Sequence, residues 1–467
     1  MKPFIHLFKT WNNYYFYDVN RNKTVLVSEK EYQYLQDIMS GKEPIPDKKV
    51  QDHIDYLKSQ GFLKPSYIKK IVHPDNDELE YHLKSRICMM TLQVTQNCNL
   101  RCSYCPYSGG YEQRSHNNQR MSFDIAKKSM DFFIAHSEDQ PEINLGFYGG
   151  EPFLEVDLIE NCIEYMYAHA KNKVIKFSVT TNGTLFNERI IRLLKKYPFN
   201  VLISLDGPKE IHDKNRVFAN GKGSYDVLMK NLTQIRLSEP DLYNQFSYNM
   251  VMDPTVEYAC VQDFVKECHD LDTNKFSFSD ISTQYQKDPS FFAKKEDYIV
   301  SRNYEYFKCL LFQLGRIKEN SSSAISNFRF ASAISRYNYM NILSSSLPEK
   351  AHPGGPCIPG SLRLFVDVNG YFYPCEKVSE TSKTVRIGHV DTGFNISQIR
   401  KILSVCSGNE SCKTCWAFRN CGICICQADD GQDISLSLIQ KSCRNRRMKT
   451  EQELKDICML KEYGYQL

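Results

Sequence analysis

The chain has 467 residues, 42% of them hydrophobic, with 59 Lys and Arg against 55 Asp and Glu, enough for two or three domains with real cores. A net charge of +4 with scattered basic residues leaves no nucleic-acid footprint, no apolar run reaches bilayer-spanning length, and the opening MKPFIHLFKTWNNYYFY has neither the apolar region nor the cleavage site of a signal peptide. A cytoplasmic location is expected, where eighteen cysteines speak for metal binding rather than disulfides.

Residues 1–70 read as a small β/α module. Aromatic-rich runs at 4–9 and 14–20 flank Trp11-Asn12-Asn13, a hairpin signal, and 24–27 is a third short strand. Ser28 with Glu31 forms a capping-box pattern and opens a helix carrying Tyr32, Leu35 and Ile38. A second helix, 49–59, places Val50, Ile54 and Leu57 at helical spacing. Residues 71–87, with the acidic run from Pro74 to Glu80, read as a polar linker.

From 88 to 284 strands and helices alternate. Strands are expected at 91–95, 143–148, 174–180, 199–205, 246–252 and 275–279, and helices near 122–136, 156–171, 187–196, 224–237 and 258–269. Such βα alternation implies a parallel sheet, with six repeats where a closed barrel has eight. Four motifs fall at strand C-terminal ends, where parallel α/β folds put their chemistry. The first is Cys98, Cys102 and Cys105, a C-x3-C-x2-C loop. Three thiolates are one short of the usual four for an iron–sulfur cluster, leaving one iron open to an outside ligand. A zinc site is the plainer alternative, although zinc sites more often pair two ligands with a distant second pair. The second motif is Gly149-Gly150-Glu151-Pro152, whose glycines let backbone approach a ligand closely. The others are Val179-Thr-Thr-Asn-Gly183 and Leu202-Ile-Ser-Leu-Asp-Gly-Pro208.

Residues 285–351 are polar, with a Ser-rich run at 320–324, and read as a bridging region with helices. Residues 352–467 hold a second concentration of cysteines: Cys357, Cys375, Cys412, Cys415, Cys421, Cys424, Cys426 and Cys443. Cys162, Cys260, Cys268 and Cys309 lie in helical stretches and read as small buried hydrophobes.

Taken together, the three-cysteine loop and the GGEP element resemble the radical S-adenosylmethionine (SAM) enzymes. That resemblance implies a fold of α/β class, a partial (β/α)6 barrel, with SAM bound to the open iron of a 4Fe–4S cluster held by Cys98, Cys102 and Cys105. It also implies SAM contacts from Gly149, Gly150, Glu151 and Asn182, ribose contacts from Ser204 and Asp206, and Tyr104 beside the adenine. Arg216 is a candidate partner of the SAM carboxylate, or else a solvated surface arginine. The C-terminal cysteines resemble the SPASM domain, which carries two auxiliary 4Fe–4S clusters and would bring the total to three. The first would take Cys357, Cys375 and the cysteine after Cys421; the second Cys412, Cys415, Cys421 and Cys443. The family's last spacing falls on Ile425, so Cys424 or Cys426 substitutes, and the sequence does not choose. Residues 348–354 contain no cysteine. The first auxiliary cluster is then left with an open iron for a substrate cysteine, unless His352, Cys406 or both of Cys424 and Cys426 close it. Glu376 resembles a base found after this cysteine in sulfatase-maturing relatives, and reads otherwise as a surface carboxylate. The N-terminal module resembles a RiPP recognition element, a winged-helix-like domain that captures leader peptides by adding a strand to a sheet edge.

The resemblance implies an enzyme that takes electrons from an external reductant such as flavodoxin or ferredoxin, reductively cleaves SAM and removes hydrogen from a ribosomally made precursor peptide. The expected product is a side-chain crosslink, foremost a Cys thioether. The alternatives are an anaerobic sulfatase maturase that forms formylglycine, and a non-catalytic peptide-binding or electron-transfer scaffold.

Overall fold

Strands β1 (Ile5–Lys9), β2 (Tyr14–Asp18) and β3 (Lys23–Val27) form an antiparallel sheet in chain order. Helices α1 (Glu29–Ser40) and α2 (Lys48–Ser59) cover it, packing Leu35, Val50, Ile54 and Leu57 around the fully buried Phe16. The capping box forms: Ser28 N donates to Glu31 Oε2 at 2.7 Å, and Glu31 N donates back to Ser28 Oγ at 3.3 Å. The computed structural model describes residues 2–268, 271–288, 290–318, 323–342 and 346–467. Residues 320–322 of the Ser-rich run lie outside them.

The segment expected as a linker is structured. Strand β4 (Lys70–Ile71) pairs in parallel with residues 350–351, and α3 (Leu79–Ser85) buries Leu79 and Leu83. These two leucines lie one helical turn apart on one face, a signal hidden by the acidic residues around them.

Six parallel strands follow: β5 (Met89–Thr95), β6 (Glu142–Gly149), β7 (Val174–Thr181), β8 (Phe199–Ser204), β9 (Ser247–Met252) and β10 (Phe276–Asp280). Each pairs with the next, and between them run α4 (Phe123–Ala135), α5 (Val156–His169), α6 (Glu188–Lys196), α7 (Lys209–Asn215), α8 (Tyr225–Ser238), α9 (Pro240–Tyr243) and α10 (Tyr258–Glu267). Alternate burial along β7, β8 and β9 places apolar side chains under the helices, while the strand C-termini carry the motifs. Helices α11 (Glu296–Gln313) and α12 (Ala324–Ile342) then lead to β11 (Lys350–Ala351), the partner of β4.

The sheet does not stop at β5. Strand β12 (Leu364–Val366) pairs in parallel with β5, and β13 (Tyr371–Tyr373), β14 (Gly388–His389) and β15 (Gly393–Phe394) extend it antiparallel. The cysteine-rich region thus shares one ten-stranded, mostly parallel sheet with the βα repeats. Helix α13 (Ile396–Leu403), a series of short 3-10 turns and the long α14 (Leu436–Glu462) complete the chain.

The N-terminal module is docked rather than tethered. The His6 ring stacks on Trp416 with centroids 3.5 Å apart, and Arg419 donates to Val19 O at 2.6 Å and Asn20 O at 2.9 Å. Tyr15 OH and Thr10 Oγ1 both donate to Glu462 on α14. No described helix is long and apolar enough to cross a membrane.

Candidate functional site

The loop after β5 carries Cys98, Cys102 and Cys105, and the end of β6 seats it. Gly149 has φ +134°, and a Cβ there would lie 2.0 Å from Thr95 O; at Gly150 a Cβ would lie 2.0 Å from Asn97 O. Gly150 N donates to Thr95 O and Glu151 N to Asn97 O, both at 2.9 Å. The space made by the two glycines is therefore taken by the backbone of the cysteine loop. Only residues without a Cβ permit this seat.

Glu151 points into the protein and is 1% exposed. Its Oε1 accepts from Thr181 Oγ1 at 2.8 Å and Phe153 N at 3.2 Å, and its Oε2 accepts from Asn182 N at 2.8 Å. Burial pushes its pKa up to about 7, against the pull of those hydrogen bonds. Asn182 links the same corner to the loop: its Nδ2 donates to Asn99 Oδ1 at 2.8 Å and lies 3.9 Å from Cys98 Sγ. Burial pushes the thiols of Cys98 and Cys102 up to about 12, and raises Cys105 as well.

Three residues expected to touch different parts of one ligand are bonded to each other. Arg216 Nε donates to Asp206 Oδ2 at 2.7 Å, Tyr104 OH donates to the same oxygen, and the guanidinium sits 5.3 Å from the Tyr104 ring centroid. Val251 N holds the other oxygen, Oδ1, at 3.0 Å. Arg216 is not a solvated surface arginine; its side chain is 8% exposed, and its counter-ion is fully buried. The positive charge opposes the rise in the Cys102 thiol. Ser204 ends β8 as a buried residue.

The C-terminal thiols fall into two groups. Cys375, Cys424 and Cys426 lie within electrostatic reach of one another, and Cys426 Sγ donates to Lys377 O at 3.6 Å. The loop carrying Cys357 lies against the same segment, since a Cβ on Gly355 would be 2.5 Å from Ile423 O. Cys357 itself is exposed. In the second group Cys412, Cys415 and Cys421 lie within electrostatic reach of one another, joined by Cys406, which successive turns bring beside Cys412: Asn409 N donates to Cys406 O and Cys412 N to Asn409 O, both at 3.0 Å. Cys406 thus stands with the second group and not with Cys375, where it was a candidate to close the first. Cys443 lies on α14, its thiol donating to Ile439 O at 3.3 Å. Arg446, one turn on, reaches Cys421 Sγ at 3.8 Å and also bonds Gln427. The His352 ring lies 5.3 Å from that of His73, with its Nδ1 2.9 Å from Pro353 O. Glu376 is half-buried, its Oε1 accepting from Arg363 at 3.0 Å. Among the other cysteines Cys162 and Cys309 are buried, whereas Cys260 is exposed on α10 and Cys268 caps that helix half-buried.

Sequence reading missed one feature entirely. Arg114 and Glu380 form an ion pair at 2.7 Å, 1% and 10% exposed. Gln93 Nε2 donates to Glu380 Oε1 and to Tyr107 OH, both at 2.6 Å, and Val368 N donates to Gln93 Oε1 at 3.1 Å. This network ties the cysteine loop and β5 to the C-terminal region. Its one signal in sequence is Gln93, a long polar side chain between Leu92 and Val94 in β5.

All eighteen cysteines are free. Among the described residues no three His, Cys, Asp or Glu side chains are placed to hold a single metal ion; thiolates around an iron–sulfur cluster bind separate irons and stand further apart.

Residues 92–268 match the model of the radical SAM superfamily. An uncharacterized protein of Methanocaldococcus jannaschii is 31% identical over 232 residues, 49% of this chain and 71% of that protein. The chain belongs to the radical SAM superfamily, whose members bind SAM and a 4Fe–4S cluster. A cysteine-type anaerobic sulfatase-maturating enzyme of Clostridium novyi is 36% identical over 151 residues, which is 31% of this chain and 39% of that enzyme. In fold the chain resembles native anSMEcpe with bound AdoMet, at a TM-score of 0.54 and 19% identity, covering 79% of this chain and 99% of that one.

Proposed function

We propose that the chain is a peptide maturase that installs a crosslink, foremost a Cys thioether, in a ribosomally made precursor. The observation that carries this reading is the continuity of the sheet. Strand β5, which leads into the Cys98 loop, is hydrogen-bonded to β12 of the region holding the second set of thiols. One layer would therefore carry both the Cys98 loop, after β5, and Cys375, two residues beyond β13.

In this reading Cys98, Cys102 and Cys105 hold the SAM-binding cluster, and Gly149, Gly150, Glu151, Asn182, Ser204, Asp206 and Arg216 frame SAM, with Tyr104 near the adenine. The fit rests on charge. Glu151 is a buried acid with a pKa near 7, and an ammonium beside it would offset the cost of burial and favour the carboxylate. When bound, the cluster and SAM supply reductive cleavage and a radical able to take hydrogen from an unactivated carbon. The chain's own residues do the rest. Glu151 and Asn182 fix the loop against β7, so the ligand-binding corner does not have to reorganise. The Tyr104–Asp206–Arg216 unit fixes a positive charge beside Cys102. Arg363 occupies Glu376 Oε1, which leaves Oε2 as the oxygen to take a proton from the peptide.

Cys357, Cys375, Cys412, Cys415, Cys421, Cys424, Cys426 and Cys443 would hold two auxiliary clusters, and an external one-electron donor would reduce the enzyme. Residues 1–70 would capture the leader. Strand β3 is the outer strand of its sheet and borders a cavity of about 510 Å³ lined by Leu26, Phe330, Ile334 and Tyr337 among others. An extended peptide could add there through backbone hydrogen bonds.

The likeness to the Clostridium novyi enzyme supports a second reading, formation of formylglycine on a sulfatase. Mass spectrometry separates the two. A candidate Cys-containing precursor peptide, treated with the anaerobically reconstituted enzyme, SAM and reductant, should lose two hydrogens and keep its sulfur. A sulfur-free aldehyde formed from a sulfatase peptide, with the precursor unchanged, would favour the second reading.

A further inference from the structure

A second cavity lies against the cysteine loop itself. It holds about 370 Å³ and is lined by Arg101, Cys102, Tyr111, Lys287, Phe291 and Phe292 among others. The loop at 101–111 and the stretch at 286–292 make it, joined by a bridge between Tyr111 and Gln286 and by Lys287 N donating to Gly110 O at 3.0 Å. Cys102 is 8% exposed and forms part of the wall, so the protein surface here reaches one of the three cysteines of the loop. Elsewhere the loop is covered: Gly149 and Gly150 lie against Thr95 and Asn97, and Tyr107 packs under Arg114. The rim of the cavity is basic. Arg101, Lys222 and Lys287 are exposed, and among the described residues none of them sits in an ion pair. Arg101 Nη1 donates to Cys98 O at 2.6 Å and Lys287 Nζ to Gly109 O at 3.0 Å, so both cations are held over the loop. Lys222 belongs to the neighbouring turn at 217–223, where Val217 O accepts from Arg101 N at 2.7 Å. The acid in the wall, Asp288, is engaged by Ser290 N and Oγ. Phe291 is 62% exposed and meets the buried Phe292 edge-to-face at 4.7 Å.

We propose that this face docks the external electron donor, and that the donor is an acidic flavodoxin. Its carboxylates meet Arg101, Lys222 and Lys287, and the exposed edge of its flavin packs against Phe291 beside Cys102. One electron then leaves the reduced flavin for the cluster held by Cys98, Cys102 and Cys105, with no atom or proton transferred. A flavin edge suits this wall because both are aromatic and apolar. Unpaired cations around an exposed ring supply encounter rate and register, while the ring supplies the packed contact. The docking face rests on the reading of those three cysteines as holders of the SAM cluster.

The test uses the full-length reconstituted holoenzyme with SAM, no peptide, and either reduced flavodoxin or dithionite as the electron source. Formation of 5′-deoxyadenosine reports the electron delivered. Lys222→Glu combined with Lys287→Glu should cut the flavodoxin-driven rate at least about tenfold and leave the dithionite-driven rate at the wild-type value. Carbodiimide coupling gives a readout apart from turnover: oxidised flavodoxin should form amide bonds to Lys222 or Lys287 of the wild type, and fewer at high salt. An unchanged flavodoxin-driven rate in the double variant would overturn the proposal. So would an equal loss with dithionite, which would make the two lysines supports of the loop. A loss seen with reduced ferredoxin alone would overturn it too, giving the face to the other carrier. A wild type that forms no 5′-deoxyadenosine even with dithionite would fail at the SAM-cleaving reading itself, and the docking face would fall with it.

Discussion

The two cysteine regions are built by opposite means. Around Cys98 the loop is held by backbone: two glycines at the end of β6, paired N–H to C=O bonds, and buried side chains at successive strand ends. Around Cys412 and Cys421 there is little regular structure, only short 3-10 turns, and the support comes from outside. Trp416 and Arg419, between the cysteines, are covered by the N-terminal module. The first site is held mainly by its own strands, with the Arg114–Glu380 pair as its tie to the C-terminal region, while the second depends on what is docked against it.

The largest effect expected from this contrast is at Gly150. Ala there would place a methyl 2.0 Å from Asn97 O, which neither backbone can evade. Gly150→Ala should cost about 3 kcal/mol or more, and reconstituted protein should lose the SAM-cluster iron while keeping the auxiliary iron. Loss of the auxiliary iron instead would mean that the two regions do not stand independently.

Breaking the buried ion pair comes next. Arg216→Leu leaves Asp206 buried without its counter-ion and should cost about 3–5 kcal/mol by chemical denaturation. Asp206→Asn with Arg216→Leu should recover part of that loss, whereas additive losses would show that the pair is not coupled.

His212 gives a pH signature in the same region. It is 1% exposed, and burial pulls its pKa down to about 4. The folded value lies below the unfolded 6.5, so stability is full above 6.5 and falls as pH drops towards 4. The loss should be about 3 kcal/mol. Denaturation at both pH values should show that slope reduced in His212→Gln, and an unchanged slope would assign the acid sensitivity elsewhere.

The smallest effect lies at the docked module. Arg419→Ala removes bonds to Val19 O and Asn20 O and should cost about 1–3 kcal/mol. Hydrogen exchange should rise in residues 1–20 and in the loop at 412–421, with β5 to β8 unchanged. Removal of residues 1–70 should go further, weakening leader affinity at least tenfold and loosening the second auxiliary site, while substrate-free SAM cleavage persists.

The same contrast governs how much could be read from sequence. The six parallel strands fall within a few residues of their expected positions because alternation and turn residues are local signals. The capping box at Ser28 and Glu31 was legible for the same reason. The sharing of one sheet by β5 and β12 was not, since a pairing across more than 270 residues leaves no local trace. Helix α3 was masked by charge around two leucines. In the site, Cys98, Glu151 and Asn182 were readable as motif residues, but their bonds to one another were not. The Gln93–Arg114–Glu380 network and the place of Cys406 depend on chain segments that meet only in three dimensions.

In the proposed function Cys98, Cys102 and Cys105 hold the cluster that cleaves SAM, apart from the thiols of the C-terminal region. Its most direct test is 5′-deoxyadenosine formation by an anaerobically reconstituted Cys98→Ala, Cys102→Ala, Cys105→Ala triple variant. That variant should form no 5′-deoxyadenosine above background and retain roughly two thirds of the wild-type iron in the auxiliary sites; SAM cleavage at the wild-type rate would contradict the assignment of these three cysteines.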